Sequence, residues 1–196
     1  MATKRVFEIA KEQGLSSREA LAPWNEQVSS LAGDLVAGRH ETVTALQPGF
    51  AERAGELGLP QAELRYEGEP PSVEDLEGRL DRDLERGATG VGPHLDDLGV
   101  LSAGRDLRTF GSQGEQRLAV LALLLAEAEL IADRRRVPPL LLLDDALSEL
   151  DESRRRTLSE RIGAMGQTIV TATGSEALPL APAQLFRVTP GHVKRG

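Results

Sequence analysis

Leu140-Leu141-Leu142-Leu143-Asp144-Asp145 is an apolar run that ends on two adjacent carboxylates. Pro138-Pro139 stops the chain in front of it. Four leucines without a polar interruption predict a parallel strand covered on both faces. Downstream, Asp151 predicts the cap of a helix whose Leu158, Ile162 and Met165 face inward before Gly166 ends it. Thr168-Ile169-Val170-Thr171 then predicts a second buried strand. Strand, helix, strand in that order is a βαβ unit, and the fold class is α/β with a parallel sheet and flanking helices.

In open parallel sheets, ligands bind beyond the carboxyl ends of the strands. Two carboxylates at that edge are costly to bury without a cation or a hydrogen-bonding partner. Asp144 suits a magnesium ion, which takes few protein oxygens and keeps waters and phosphate oxygens as its other ligands. Asp145, the neighbour across the strand alternation, could position or activate an attacking water. The plainer alternative makes both of them turn and cap residues before Ala146.

Upstream, Ser112-Gln113-Gly114-Glu115 matches a capping box and predicts a helix from about Gln113 to Asp133. Its stripe is Leu118, Leu121, Leu125, Ala128 and Ala132. A helix N-terminus with a serine hydroxyl, a glycine and free backbone N–H groups can hold an anion. Leu98–Leu101 and Arg105–Leu107 predict a hairpin turning at Ala103-Gly104. The chain divides near residue 90, and residues 1–90 read as mainly helical. Residues 16 to 58 read as helical and polar, with Pro23 before Trp24 as a start signal and Leu31, Leu35 and Val36 spaced for one buried face. Leu64 to Gly68 is a short strand, and Ser72 opens a helix carrying Val73, Leu76, Leu80 and Leu84.

Composition closes off other chemistries. Net charge is −8, with 31 acidic against 23 basic residues, so binding to a polyanion through overall charge is disfavoured. Local basic clusters remain at Arg134–Arg136, Arg154–Arg156 and Lys194-Arg195. There is no cysteine, hence no disulfide or thiolate metal site, and a reducing cytoplasm is the expected location. No apolar run approaches a membrane span, so no membrane partner is expected. His40, His94 and His192 lack metal-ligand spacing, and no G-x-S-x-G turn occurs. Asp96-Asp97, after Gly92-Pro93-His94, reads as a turn rather than a second acidic site.

The order of these phrases resembles the signature helix, acidic strand and D-loop of ABC ATPases, and within them the RecF family. The resemblance is carried by Ser17-Arg18-Glu19-Ala20-Leu21 with Pro23-Trp24 and by Gly92-Pro93-His94-Leu95-Asp96-Asp97-Leu98. It continues through Gly104 to Arg117 and ends with Leu143 to Asp151, Ser148-Glu149-Leu150-Asp151 standing as the D-loop. It implies part of an ABC-type head over residues 91–196 and a helical second lobe over 1–90. It further implies ATP with Mg2+, ATP-dependent binding of gapped DNA, a homodimer formed through ATP, and work with RecO and RecR in loading RecA. By resemblance, Ser112, Gln113, Gly114 and Glu115 meet the γ-phosphate held by an opposite subunit and Asp144 supports magnesium. By the same resemblance Asp145 is the catalytic carboxylate, and Ser148 and Asp151 lie at the dimer seam. Departures accompany the matches. The phosphate loop G-x-x-x-x-G-K-[ST] does not occur, since Lys4, Lys11 and Lys194 do not follow a glycine. Leu95 stands where the family usually has arginine, and no histidine follows the strand ending at Thr171. The expectation is a C-terminal portion with half an ATP site, the loop coming from a separate segment. A non-enzymatic dimerisation or interaction module and an inactive truncated remnant are the alternatives.

Overall fold

A computed structural model of the chain describes residues 12, 14, 16–147, 150–174 and 182–196. Its backbone contacts gather into two compact units: the described residues of Met1–Thr44 with Arg65–Gly99, and those of Ala45–Leu64 with Val100–Gly196. The elements are α1 (Ser17–Glu56), β1 (Ala62–Glu67), α2 (Val73–Arg86), β2 (Asp97–Ser102), β3 (Arg105–Asp106), α3 (Leu107–Phe110) and α4 (Gln113–Arg135). They continue with β4 (Leu141–Asp144), α5 (Glu152–Ala164), β5 (Thr168–Thr171), β6 (Phe186–Thr189) and β7 (His192–Arg195). The strands form three sheets, ordered β1-β2-β3, β4-β5 and β6-β7. Among the described residues no helix is long and apolar enough to cross a membrane.

In the first unit, Ser16 starts α1: its Oγ accepts from the Glu19 N–H at 3.2 Å, and the Glu19 carboxylate accepts from the Ser16 N–H at 3.0 Å. The helix therefore begins at Ser17, six residues before Pro23, and not at the Pro23-Trp24 start signal. The buried face matches expectation at Val36 and differs at the two leucines. Leu31 and Leu35 are 66% and 48% exposed, while Ala32 and Val36 are buried. The phase of the helix puts the smaller residues inward, one position on from the leucines. Ser72 and Asp75 close a second capping box at α2, whose Leu76 and Leu80 are buried as their spacing predicts.

Asp96 is no acidic site. Its side chain is almost wholly buried and accepts from the Tyr66 hydroxyl and from Arg39 Nη1 at 3.4 Å, while Arg39 Nη1 also donates to Tyr66 Oη at 3.1 Å and to the Pro93 carbonyl at 2.6 Å. Burial raises the Tyr66 pKa, so the phenol stays protonated and donates to the carboxylate.

In the second unit, Ala103 and Gly104, both with positive φ (50° and 74°), make the two-residue turn between β2 and β3, pairing Ser102 with Arg105 and Leu101 with Asp106. This is the mirror-type turn that matches strand twist. Leu118, Leu121, Leu125 and Ala128 of α4 are buried, as are Leu158 and Ile162 of α5. Arg53 of α1 sits among them, with Glu52, Glu56 and Glu129 around its guanidinium.

β4 and β5 pair in parallel, Leu141↔Thr168 through Asp144↔Thr171. The expectation of full burial fails on one side. Leu141 and Leu143 are inside, but Leu142 is 66% and Ile169 52% exposed. A strand's side chains alternate, so the packed helices cover only one face of this pair.

The capping carboxylates set the acid response. Hydrogen bonds from Ser16, Ser72 and Ser112 hold Glu19, Asp75 and Glu115 below their ordinary values, and Thr109 and the Arg108 N–H do so for Asp106. A carboxylate depressed by folding stabilises above its unfolded pKa, and that contribution is lost as pH falls through the folded one. The capping contribution to melting temperature should therefore be constant from neutrality to about pH 5 and be lost below the ordinary carboxylate range. A melt series would check this, and Ser72→Ala should flatten the acid limb.

Candidate functional site

The candidate residues all lie in the second unit. Gly111 sets up the first of them. It ends α3, its N–H bonding the Leu107 carbonyl at 3.0 Å, and a Cβ there would stand 2.5 Å from that same oxygen. Only glycine fits this approach. Gln116 Nε2 stitches the corner by donating to the Leu107 carbonyl at 2.9 Å. Ser112 then caps α4, and the capping box read in the sequence is closed: Ser112 Oγ accepts from Glu115 N at 3.2 Å and donates to Glu115 Oε2 at 2.8 Å. These bonds to Ser112, with the nearby charges of Arg105 and Arg154, keep Glu115 ionised well into acid.

Ser112, Gln113, Gly114 and Glu115 are all exposed. None of the described residues packs on Gly114, since among them an added Cβ would meet Ser112 Oγ alone, at 3.9 Å. Glycine in a helix costs up to about 1 kcal/mol relative to alanine, and the fold gives no return for it here. Gly114→Ala should leave the melting temperature unchanged or raise it, by up to about 1 kcal/mol in stability. The same variant should abolish any function that needs a phosphate against this backbone; a fall in stability would instead give Gly114 a structural role.

Asp144 is the last residue of β4 and is exposed. Asp145 leaves the strand with φ 48°, the left-handed region that aspartate enters more readily than most residues. Both are fixed by Thr171, at the matching end of β5. Its hydroxyl donates to Asp144 Oδ1 and accepts from the Asp145 N–H at 3.0 Å, and its carbonyl accepts from that N–H at 3.2 Å. Arg117, one turn into α4, donates from Nη2 to the Asp145 carbonyl. The signature helix and the acidic strand end are thus joined through a main-chain oxygen. Thr171 and Arg117 escaped sequence reading, because their partners lie 27 and 28 residues away. Parallel pairing of the two strands was the available signal for Thr171.

Asp151 caps α5, its Oδ1 accepting from the Arg154 N–H at 2.9 Å and its Oδ2 pairing with Arg154 Nη1 at 3.2 Å. Arg154 Nε also donates to the Leu57 carbonyl at 3.0 Å. Ser148 lies outside the described residues. Among the described residues no three His, Asp or Glu side chains gather as a metal cage. Clefts of about 380 and 350 Å3 flank Arg161, and neither is lined by Asp144 or Asp145. Asp144 and the α4 N-terminus are exposed, a carboxylate for a cation and backbone for an anion, while Asp145 is half-buried beside them.

Parallel strands ending on an acidic pair, joined to a glycine-bearing helix N-terminus, define the class as part of an α/β ABC-type ATPase head. Comparison with known proteins narrows it. The chain is 36% identical over 191 residues to the DNA replication and repair protein RecF of Lachnoclostridium phytofermentans, covering 91% of this chain and 51% of that protein. It is 38% identical over 201 residues to RecF of Herpetosiphon aurantiacus, covering 97% and 52%. A solved structure of the recombination mediator protein RecF-ATP in the RecFOR pathway superposes with a TM-score of 0.76 at 25% identity, over 96% of this chain and 54% of that one. No protein-family profile matches. The chain belongs to the RecF family and spans about half the length of the curated relatives it matches.

Proposed function

We propose that the chain carries the signature and acidic-strand half of an ATP site in a RecF-type repair protein, and hydrolyses ATP only when a second segment supplies the phosphate loop. The observation that carries this is the coupling of Asp144, Asp145 and Thr171 to α4 through Arg117. In this reading Asp144 would hold Mg2+, and the ion would supply charge neutralisation at the transferred phosphoryl. Asp145 orients and deprotonates the attacking water. Ser112, Gln113 and Gly114 present the α4 N-terminus to the γ-phosphate of an opposite subunit, with Glu115 releasing Ser112 as the phosphate arrives. Ser148 and Asp151 lie at the seam of that ATP-dependent homodimer. The proposed domain division is a helical lobe over 1–90 and the head over 91–196, with Ala45–Leu64 of the lobe clustering with the second unit.

The relatives' names supply the rest of the reading: DNA replication and repair, and an ATP-bound mediator in the RecFOR pathway. The chain then acts on gapped DNA with RecO and RecR, supporting the loading of RecA, in the cytoplasm. The test is to assay ATP hydrolysis and binding by this chain alone and mixed with a RecF segment carrying the phosphate loop. Activity in the mixture only is the expected result. Tight binding of Mg-ATP by the chain alone overturns the half-site, and no binding in either arm removes the enzyme reading. A non-enzymatic interaction module is favoured by one observation, the exposed stripe Trp24, Val28, Leu31 and Leu35 along α1. Light scattering across concentrations separates it, since a strict monomer with and without ATP speaks against such a module.

A further inference from the structure

The last two strands form a ribbon with two unlike faces. Phe186↔Arg195, Arg187↔Lys194, Val188↔Val193 and Thr189↔His192 face one another across the ladder, around a Pro190-Gly191 turn in which Gly191 has φ 75°. Directly paired residues share a face and alternate along the strand. One face therefore carries Arg187, Thr189, His192 and Lys194, and the other Phe186, Val188, Val193 and Arg195. All eight residues are exposed.

The basic face is unbalanced. No Asp or Glu occurs after Glu176, so the stretch from Ala177 to Gly196 holds only basic charge within a chain of net −8. Among the described residues no carboxylate stands within ion-pair distance of Arg187, Lys194 or Arg195. Arg187 and Lys194 are directly opposite, an arrangement that destabilises a ladder unless an anion lies over both. We infer that this face binds the phosphate backbone of nucleic acid, Arg187 and Lys194 together neutralising phosphates of a duplex.

A two-stranded ribbon has the width of a duplex major groove, and cations on one flat face suit a row of phosphates. A lipid surface would draw on the apolar side for insertion, which the ladder turns away from these cations. The inference rests on the nucleic-acid part of the function proposed above and is independent of the ATP site.

The test is fluorescence anisotropy of this chain, without nucleotide, on a labelled DNA duplex of about 25 base pairs from about 50 to 200 mM salt. Arg187→Gln/Lys194→Gln should weaken binding by about tenfold or more and reduce the log–log salt slope by about 2, near 0.9 for each phosphate contact. Thr189→Glu, which places one carboxylate on the same exposed face, should weaken it in the same direction. Arg134→Gln/Arg135→Gln, at the end of α4, should stay within about threefold of the parent. Far-ultraviolet circular dichroism and melting should be unchanged in all three. Equal affinity of the hairpin variants and the parent, a larger loss from the α4 variant, or no duplex binding by the parent at low salt each overturns the assignment. So does hairpin-dependent binding to phosphatidylserine vesicles without duplex binding. Loss of ATP complementation with hairpin-dependent binding intact would remove the ATP reading and leave this one standing.

Discussion

Asp145→Asn should lower ATP hydrolysis by the reconstituted mixture at least about 100-fold while leaving nucleotide affinity within a few-fold, the loss typical of a removed general base. The substitution keeps shape and removes the negative charge. It also keeps the left-handed backbone at φ 48°, which asparagine adopts as readily as aspartate. The Arg117 bond to the residue 145 carbonyl and the N–H bonds to Thr171 are main-chain interactions at this position and survive the change. A large fall in turnover with an unchanged melting temperature therefore isolates the carboxylate's role. Asp144→Asn should differ in kind: on the proposed role of Asp144, the Mg2+ concentration required should rise because a carboxylate ligand is lost. If Asp145→Asn turns over within about threefold of the parent, the catalytic assignment fails even where complementation succeeds.

The legible parts of this chain were those fixed locally. Capping boxes at Ser72 and Ser112, the cap at Asp151 and the Ala103-Gly104 turn depend on residues within four positions of one another, and each formed where its pattern stood. The βαβ order also followed from sequence, since two apolar strands around an amphipathic helix leave little but parallel pairing. Helix phase was less legible. Val36 is buried as its spacing predicts, but Leu31 and Leu35 are exposed and Ala32 points inward, because the inward stripe of a helix is set by what packs on it and not by apolarity alone. The four leucines predicted two covered faces and have one, since burial of the second depends on elements that a strand's own sequence does not specify. Within the candidate site, Asp144 and Asp145 announced themselves by adjacency. Thr171 and Arg117 did not, because a threonine ending a strand and an arginine in a helix are common, and their role exists only once strand register and helix position are set.

Arg53→Ala should destabilise the second unit strongly, by roughly 3 to 5 kcal/mol, or about 10 °C in melting temperature for a chain of this size. Arg53 is 5% exposed, yet ionised, with Glu56 at 2.8 Å, Glu129 at 3.5 Å and Glu52 also paired to it. Truncation opens a cavity and leaves these carboxylates facing one another. Glu56 keeps Arg161 Nε at 2.9 Å, so Glu129 bears most of the loss. Burial already raises the Glu129 pKa, with Glu52 and Glu56 adding to it and Arg53 and Arg161 opposing. A carboxylate raised by folding favours the native state when protonated, so its unfavourable contribution grows as pH rises from the unfolded value through the folded one. Removing Arg53 raises it further. Urea unfolding should accordingly find Arg53→Ala less harmful at pH 5 than at pH 7.5. Arg53→Met, which restores volume without charge, should recover only part of the loss, and Arg53→Met/Glu129→Gln most of it, because a packed apolar group with no stranded carboxylate is close to neutral against a buried ion pair. A loss under about 1 kcal/mol with no pH dependence would mean that solvent, not Arg53, holds these carboxylates.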